Sequence, residues 1–290
     1  MTQDIPPIRI GSGEFRWGEK TYLMGIINAT PDSFSGDGLA YNIDAAVDEA
    51  VAMQEAGADI IDVGGESTRP SGAVYGEGAK PVSTEEELNR VLPVIHRMRN
   101  ILKIPISIDT YKSETARAAV AAGASLINDV WGLLRDHKLA KVAAEMGVPL
   151  VLTHNQEGYE YDNLMAELVA GIRHSMETAL RAGVPHEHII VDPGIGFGKK
   201  AEHNLEILRR LDEFRATLGR PVLVGTSRKA FIGKILGGLP PNERIEGTAA
   251  TVAVAIARGA DIVRVHDVKQ IARVCRMADA IIRNTATNDC

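Results

Sequence analysis

Polar side chains follow a series of short apolar runs along this 290-residue sequence. Aspartate and asparagine recur at these points, and lysine, arginine and histidine follow the last two runs. One polar residue after a strand is ordinary because loops are polar, so the argument rests on the whole set. The candidates are Asn28, Glu66, Thr68, Arg69, Asp109, Asn128, Asp129, His154, Asn155, Asp192, Ser227, Arg228, Lys229, Arg264 and His266.

The chemistry of these side chains favours a flat heterocycle carrying an anionic group. Aspartate accepts two neighbouring N–H bonds and asparagine both donates and accepts, so Asp109, Asn128 and Asp192 suit a purine, pterin or flavin ring. Arg264 and His266 are two residues apart on one predicted strand and therefore share a face. Two potential cations there indicate a phosphate or pyrophosphate site. The alternative for Arg264 is a structural salt bridge to Asp109 or Asp192.

Two glycine-containing segments lie among these candidates. DPGIGFGK (192–199) lacks the spacing of known dinucleotide and nucleotide loops. It predicts a tight turn that lets a planar ligand approach the backbone, with Phe197 as an apolar wall. In GTSRKAFIG (225–233), Ser227 is predicted to cap a helix whose N–H groups attract an anion beside Lys229. The alternative is a capped helix with surface arginine and lysine.

A recurring pattern predicts the elements that carry these residues. A helix-compatible stretch ends near a glycine, and a short β-branched run and a polar cluster follow. Predicted helices include Ile43 to Ala56, Glu85 to Arg99 and Ser113 to Ala122. Eight predicted strands fall within residues 22–28, 56–66, 104–109, 122–132, 145–155, 182–194, 218–228 and 258–267.

Alternating strands and helices of this number predict a closed (β/α)₈ TIM barrel of the α/β class, in preference to an open doubly wound sheet. In such a barrel the strand ends meet at one mouth, which is where active sites lie. We expect one domain over residues 1–290, with a hairpin-like segment at 1–20. The long loops after the first two strands, residues 29–40 and 65–83, are expected to close over substrate.

Composition narrows the class of function. Lys and Arg number 32 against 38 Asp and Glu, a net charge of -6, which lacks the usual footprint of nucleic-acid binding. Cys275 and Cys290 form no C-x-x-C motif, so neither a disulfide framework nor a cysteine zinc site is expected. The first residues lack the apolar run of a signal peptide, and no run reaches the roughly 18 apolar residues of a membrane span. We expect a cytoplasmic protein that acts on small molecules.

Several motifs resemble one known family. MGIINATPDSFSGDG (24–38) and IDVGGESTRP (61–70) are similar to the first and second signatures of the dihydropteroate synthases, and SIDTYK, INDVWG, DPGIGFGK, GTSRK and RVHDV follow in that family's order. The resemblance extends from Tyr22 to Val268. It implies a TIM barrel that condenses 7,8-dihydropterin hydroxymethyl pyrophosphate with para-aminobenzoate, giving 7,8-dihydropteroate and pyrophosphate with the help of Mg²⁺.

The resemblance also implies roles for individual residues. The pterin site would comprise Asp109, Asn128, Asp192, Phe197 and Lys229. The pyrophosphate site would comprise Asn28, Thr68, Arg264 and His266, and Asn28 would also contact the metal. The aminobenzoate site would comprise Phe34, Thr68, Arg69, Pro70 and Ser227. Catalysis would depend on Lys229, Asp37, Arg264 and His266.

The implied mechanism is SN1-like. The carbon–oxygen bond to pyrophosphate breaks first, and the aniline nitrogen captures the pterin cation, which Asp37 would stabilise. This sequence departs from the family around that residue, where many relatives have their aspartate one position earlier. Ala230 stands where relatives often have serine. The loop Ser71 to Lys80 is longer than usual, from which we form the hypothesis of reduced sulfonamide sensitivity; the alternative is a solvated surface loop.

Two other functions fit parts of this pattern. One is a pterin-binding domain that transfers a methyl group from a folate to a corrinoid protein, and the other is a non-catalytic pterin-binding paralogue. The segments TPDSF and ESTRP favour the synthase over both. By resemblance we also expect a homodimer formed through the helices before and after the last strand, where Thr248 to Ala257 has an apolar face.

Overall fold

Eight parallel strands form the centre of the structure, a computed structural model that describes residues 5–29, 43–67 and 81–283. The short strands β1 (Ile8–Ile10) and β2 (Gly13–Phe15) precede them. The eight are β3 (Tyr22–Asn28), β4 (Ile60–Gly64), β5 (Ile106–Asp109), β6 (Leu126–Asp129), β7 (Leu150–Thr153), β8 (Ile189–Asp192), β9 (Leu223–Val224) and β10 (Ile262–Val265).

The strand order confirms the predicted barrel. Neighbouring strands run β8-β7-β6-β5-β4-β3-β10-β9, all in parallel. A parallel bridge between Val191 and Val222 joins β8 to the residue before β9, and the Val191 N–H donates to Pro221 O at 3.0 Å. The sheet therefore closes on itself. Because all eight strands are parallel, their carboxyl ends meet at one mouth of the barrel.

Helices connect successive strands. They are α1 (Ile43–Glu55), α2 (Thr84–Arg99), α3 (Ser113–Ala122), α4 (Lys138–Met146), α5 (Leu164–Arg181), α6 (Ala201–Arg209), α7 (Leu211–Leu218), α8 (Ala230–Ile235), α9 (Ile245–Ala257) and α10 (Val268–Ile282), with 3₁₀ turns at His186–His188 and Pro241–Glu243.

The three helices predicted in detail agree with α1, α2 and α3 to within one residue at each end. Helix α2 begins one residue early because the Ser83 Oγ accepts the N–H of Glu86 and so caps it. Among the helices that the structure describes, none combines the length and apolar character needed to cross a membrane.

The inside of the barrel is apolar at its N-terminal end and polar near the mouth. Alternate residues of each strand face inward, so Ile60, Asp62 and Gly64 of β4 form one inward row. The apolar layer consists of Tyr22, Met24, Ile60, Leu126, Val151, Ile190, Leu223 and Ile262. Strands β1 and β2 pair as an antiparallel hairpin, and its buried residues Ile8, Ile10 and Phe15 pack in the same cluster.

Candidate active site

A pocket with an empty volume of about 410 Å³, including its open mouth, lies at the carboxyl ends of the strands. That size suits a small-molecule ligand. It brings together seven of the residues predicted from sequence, with four others. The lining comprises Ile26, Asn128, Val130, Asp192, Ile195, Phe197, Gly225, Ser227, Lys229, Arg264 and His266.

Arg264 connects two carboxylates beneath this pocket. Its Nε donates to Asp62 Oδ2 at 2.6 Å, and its Nη2 donates to Asp109 Oδ2 at 2.6 Å. The amide of Asn128 also donates to Asp62 Oδ2, at 3.0 Å. Arg264 therefore makes the salt bridge to Asp109 that was the alternative reading of its role, and it lines the pocket as well.

Asp62 is a site residue that sequence reasoning missed, because it lies within an apolar run and not after one. It is fully buried, at 0% exposure. A signal was present, since Asp62 is two residues from Ile60 and therefore faces the barrel interior with it. A charged side chain at an inward position of a buried strand requires a partner, and Arg264 is that partner.

Three buried oxygen atoms of this network have no hydrogen-bond partner among the described residues. They are Oδ1 of Asp62, Asp109 and Asn128. Because the amide nitrogen of Asn128 is engaged by Asp62, the oxygen is the atom left available. Burial raises the pKa of Asp109 to about 7, although the charge of Arg264 opposes the shift. Unpaired buried acceptors are costly, so the site suits a ligand that presents N–H donors.

Asp192 stands at the end of β8, where the chain turns sharply. Its Oδ1 accepts the N–H of Gly194 at 2.7 Å. Gly194 has a φ of 71°, and a Cβ there would lie 1.8 Å from His154 O, so only glycine fits. Burial raises the pKa of Asp192 to about 6, and the Gly194 N–H and nearby lysines oppose the shift.

Lys229 and Phe197 face each other across the pocket wall. The Lys229 Nζ lies 3.8 Å from the centroid of the Phe197 ring, a cation–π contact. A Cβ on Gly196 would lie 2.8 Å from Lys229 Cδ, so the missing side chain lets the lysine pack on this turn. Burial, aided by the charge of Arg264, lowers the pKa of Lys229 to about 8.

Ser227 and His266 form a hydrogen-bonded pair. The backbone N–H of His266 donates to Ser227 Oγ at 3.1 Å, and that Oγ lies 3.0 Å from His266 Nδ1. The hydroxyl can then donate to Nδ1, which favours the tautomer with hydrogen on Nε2. Burial lowers the pKa of His266 to about 3. His266 is therefore a neutral donor at pH 7, whereas the sequence had indicated a second cation.

The prediction that Ser227 caps a helix is wrong. Helix α8 begins at Ala230, Lys229 occupies the N-cap position, and no side chain caps it. Arg228 adopts a left-handed φ of 58°, which separates Ser227 from the helix. The Arg228 guanidinium is held by Asp267 through contacts of 2.6 and 3.0 Å, which stabilises this turn.

Seven of the predicted strand-end residues that the structure describes lie outside the pocket lining. Asp109 and Arg228 are two of them, and a third, Glu66, accepts from Lys112 Nζ at 2.6 Å. Asn28 is the last residue of β3, in register with Gly64. The carboxylate of Asp129 accepts backbone N–H groups of its own loop, and Asn155 donates to Val130 O at 3.0 Å. His154 contacts Lys199. For Asp129, Asn155 and His154, the observed contacts are with their own and neighbouring loops.

Five of the predicted site residues lie outside the described residues. They are Phe34, Asp37, Thr68, Arg69 and Pro70, together with most of the two long loops.

The barrel and its pocket of buried acceptors agree with comparisons to known proteins. A family model described as "Pterin binding enzyme" matches residues 24–266 of this chain. The match covers most of the chain, from β3 to the residue after β10. The chain belongs to the pterin-binding enzyme family.

Within this family, the similar proteins are dihydropteroate synthases. Those of Bacillus subtilis and Clostridium beijerinckii are 52% and 50% identical, covering 91% and 95% of this chain and 90% and 100% of their own. The structure of the Clostridium difficile enzyme in the presence of pteroic acid is 48% identical, with a TM-score of 0.87, covering 93% of this chain and 99% of its own. The chain is thus of the dihydropteroate synthase type, a transferase.

Proposed function

We propose that the chain condenses 7,8-dihydropterin hydroxymethyl pyrophosphate with para-aminobenzoate, giving 7,8-dihydropteroate and pyrophosphate. The observation that carries this is the pair of buried, unpaired acceptors on Asp109 and Asn128, which are in register on β5 and β6, next to a pocket that Asn128 and Asp192 line. In support, structures of the Xanthomonas albilineans dihydropteroate synthase contain 4-aminobenzoic acid or 7,8-dihydropteroate, at 39% and 37% identity and TM-scores of 0.88 and 0.85.

The pterin ring is bound by acceptors on one side and a donor on the other. Asp109, Asn128 and Asp192 accept N–H groups of the ring, since their free oxygens are acceptors. Lys229 donates to the ring's carbonyl oxygen, and Phe197 packs beside it. A ring in this position fills hydrogen-bonding needs that are buried, which favours a pterin over an apolar ring of the same shape.

The pyrophosphate is bound by Arg264 and His266, with Thr68 and Asn28. Nε and Nη2 of Arg264 are held by the two aspartates, and its Nη1 has no hydrogen-bond partner in the described parts of the chain. Nη1 and the Nε2–H of His266 are thus preorganised to stabilise negative charge as the carbon–oxygen bond breaks. Heterolysis transfers that electron pair to pyrophosphate and leaves a pterin cation, which the aniline nitrogen attacks; the aniline then loses a proton.

Mg²⁺ fits this site as a substrate-associated ion. Within residues 5–29, 43–67 and 81–283, no group of three or more His, Cys, Asp or Glu could hold a metal. Mg²⁺ commonly keeps several waters and binds through one or two protein ligands plus substrate phosphates. The amide oxygen of Asn28 suits that role. When bound, the ion neutralises charge on the pyrophosphate.

The aminobenzoate site consists of Phe34, Thr68, Arg69, Pro70 and Ser227. Only Ser227 belongs to the described residues, where it lines the pocket. In this proposal Asp37 stabilises the pterin cation, and the two long loops serve to exclude water that would otherwise capture it. The proposal of reduced sulfonamide sensitivity concerns residues 71–80, and inhibition constants measured before and after shortening this loop would test it.

Release of pyrophosphate in the presence of both substrates tests the proposed function. A synthase releases pyrophosphate and forms dihydropteroate in equal amounts, and it does so only when para-aminobenzoate is present. A non-catalytic paralogue binds the pterin without turnover. A corrinoid methyltransferase domain binds a methylated folate and releases no pyrophosphate, so the three functions give three different results.

We also propose that the chain forms a homodimer through α9 and α10. These helices pack on each other, and Val254, Met277 and Ile281 on them are 45%, 62% and 69% exposed. Exposed apolar residues on adjacent helices favour a protein partner. We further propose that residues 1–290 form a single domain. We also propose a cytoplasmic location, which the low cysteine content supports.

A further inference from the structure

Lys199 lies behind the wall of the pocket, at the end of the turn that follows β8. It is 6% exposed and is not one of the residues that line the pocket. Its Nζ lies 2.9 Å from Phe197 O, 3.2 Å from His154 O and 3.1 Å from His154 Nδ1. All three contacts are with uncharged acceptors. No carboxylate of the described residues lies within 4.0 Å of this ammonium group.

A buried ammonium group needs compensating negative charge nearby. Asp192 supplies it. Burial lowers the pKa of Lys199 to about 7, and the charge of Asp192 opposes that shift. The effect is mutual, because Lys199 is one of the cations that oppose the rise in the pKa of Asp192.

Besides Lys199, two charged groups and one backbone N–H act on Asp192. Lys229 faces it from the turn after β9 and Arg264 from β10, and the Gly194 N–H faces it from its own turn. His154, at the end of β7, faces Lys199 and is neutral because burial lowers its pKa to about 3. Lys229 and Arg264 both line the pocket and are available to a ligand. Lys199 is not, so its charge continues to act on Asp192 when a ligand is bound.

Lys199 also fastens the turn itself. Its two carbonyl contacts join Phe197, within the turn, to His154, at the end of β7. This turn, residues 193–198, also carries the Phe197 ring that contacts Lys229. A change at Lys199 therefore reaches two residues of the pocket although Lys199 is not one of the residues that line it.

We propose that Lys199 is a positioning residue of the pterin site, which keeps Asp192 in its carboxylate form and holds the turn 193–198 against β7. This rests on the proposed function, in which Asp192 accepts N–H groups of the pterin. The ring needs the carboxylate form, so affinity is full above the pKa of Asp192 and is lost as the pH falls through it. Without the Lys199 charge, that loss begins at a higher pH.

The pH dependence separates this role from a purely structural one. Above about pH 7 Lys199 itself loses its proton, so at pH 8.5 the wild-type protein and a neutral variant carry the same charge at this position. The electrostatic difference between them is therefore present at pH 6 and absent at pH 8.5. Loss of packing or of the turn alone lowers affinity by the same factor at every pH.

Calorimetric titration of Lys199→Met with the pterin pyrophosphate, from pH 5.5 to 8.5 and without aminobenzoate, tests the proposal. We expect the ratio of variant to wild-type Kd to rise about fivefold between pH 8.5 and pH 6, the effect at pH 6 of raising the pKa of Asp192 from about 6 by about one unit. Lys200→Met is the matched control, because Lys200 is the adjacent lysine, pairs with Glu160 at 2.9 Å and is partly exposed. It should reproduce the wild-type pH profile.

Thermal unfolding of each variant shows whether it is folded. Lys199→Gln replaces Lys199→Met if the latter fails to fold, since it is neutral but keeps a donor for the carbonyl groups. A Kd ratio that is constant across the pH range overturns the proposal, and so does a wild-type profile in the variant. Absence of pterin binding by the wild-type protein at every pH overturns the proposed function instead, which distinguishes the two failures.

Discussion

Asp62 holds two other side chains of the site through a single oxygen atom. Its Oδ2 accepts from both Arg264 and Asn128, at 2.6 and 3.0 Å. Because the amide nitrogen of Asn128 is engaged in this way, its oxygen is the atom left to accept a hydrogen bond. The carboxylate of Asp62 thus determines which hydrogen-bonding atoms its neighbours present.

Replacing Asp62 with asparagine is expected to lower the free energy of unfolding by about 1–3 kcal/mol, because a charge-assisted hydrogen bond to a buried arginine is lost. Urea denaturation measures this. Asp212→Asn is the control, since Asp212 pairs with Arg258 on the surface at 3.1 Å. Loss of such an exposed pair should cost less than about 1 kcal/mol. Equal losses in the two variants would contradict the buried network described here.

Asp192→Asn is expected to abolish measurable pterin binding in a folded protein. The asparagine amide would present a donor where the ring also presents donors, and buried groups left unpaired cost about 1–3 kcal/mol each. Calorimetry with the pterin pyrophosphate measures the affinity, and circular dichroism checks the fold. Affinity close to that of the wild-type protein would remove Asp192 from the site.

Lys229→Ala is expected to reduce turnover by at least about tenfold while the protein remains folded, because the lysine lies on a strand-end turn and not in the core. Lys234→Ala is the control, since Lys234 lies in α8 and is exposed. It should retain wild-type turnover. Unfolding of the Lys229 variant would instead indicate that this lysine serves the structure.

At the level of elements, glycines determine the shape of the turn after β8. Gly194, Gly196 and Gly198 all have positive φ values, of 71°, 83° and 54°. At Gly194 the backbone of His154, directly after the neighbouring strand β7, is close as well, so two independent constraints exclude a side chain. The observed conformation of the turn that carries Phe197 therefore depends on glycine at these positions.

Gly194→Ala is expected to destabilise the protein by more than the roughly 1 kcal/mol that a left-handed alanine costs. The added Cβ would lie 1.8 Å from His154 O, so β7 or the turn must move. Gly158→Ala isolates the backbone cost, because Gly158 has a φ of 85° but no atom within 4 Å of the added Cβ. Thermal unfolding compares them, and equal melting temperatures would disprove the effect of the close contact.

Features that depend on residues close together in the sequence were predicted well, and features that depend on distant residues were not. Helices α1, α2 and α3 were predicted closely because caps and helical periodicity are local. Ser227 was misplaced because the left-handed Arg228 is stabilised by Asp267, which lies far away in the sequence. Asp62 was missed because its partners lie on other strands. The neutral state of His266 depends on burial, which no local pattern reports.

On the scale of the whole molecule, the apolar residues left exposed on α9 and α10 favour association with a second copy of the chain. Each helix buries one face against the barrel or its neighbour, and Val254, Met277 and Ile281 lie on the remaining surface. Charged side chains placed among them would oppose association with a second copy.

Ile281→Glu is expected to convert a dimer into a monomer, because a charge without a partner would be buried at the interface. Sedimentation equilibrium at micromolar concentration measures the mass. The control is Ile101→Glu, an exposed apolar residue after α2 that lies away from α9 and α10. It should remain dimeric. A wild-type protein that is monomeric at these concentrations would contradict the proposed dimer.

The hairpin of β1 and β2 determines at which end of the barrel ligands enter and leave. Because Ile8, Ile10 and Phe15 pack against the apolar layer at the N-terminal end of the barrel, the described residues close that end, and the pocket opens at the carboxyl ends of the strands. A ligand bound at Asn128 and Asp192 therefore enters and leaves at the carboxyl ends of the strands. Because the two substrates are joined in the product, dihydropteroate must leave by this route before the next pterin can enter.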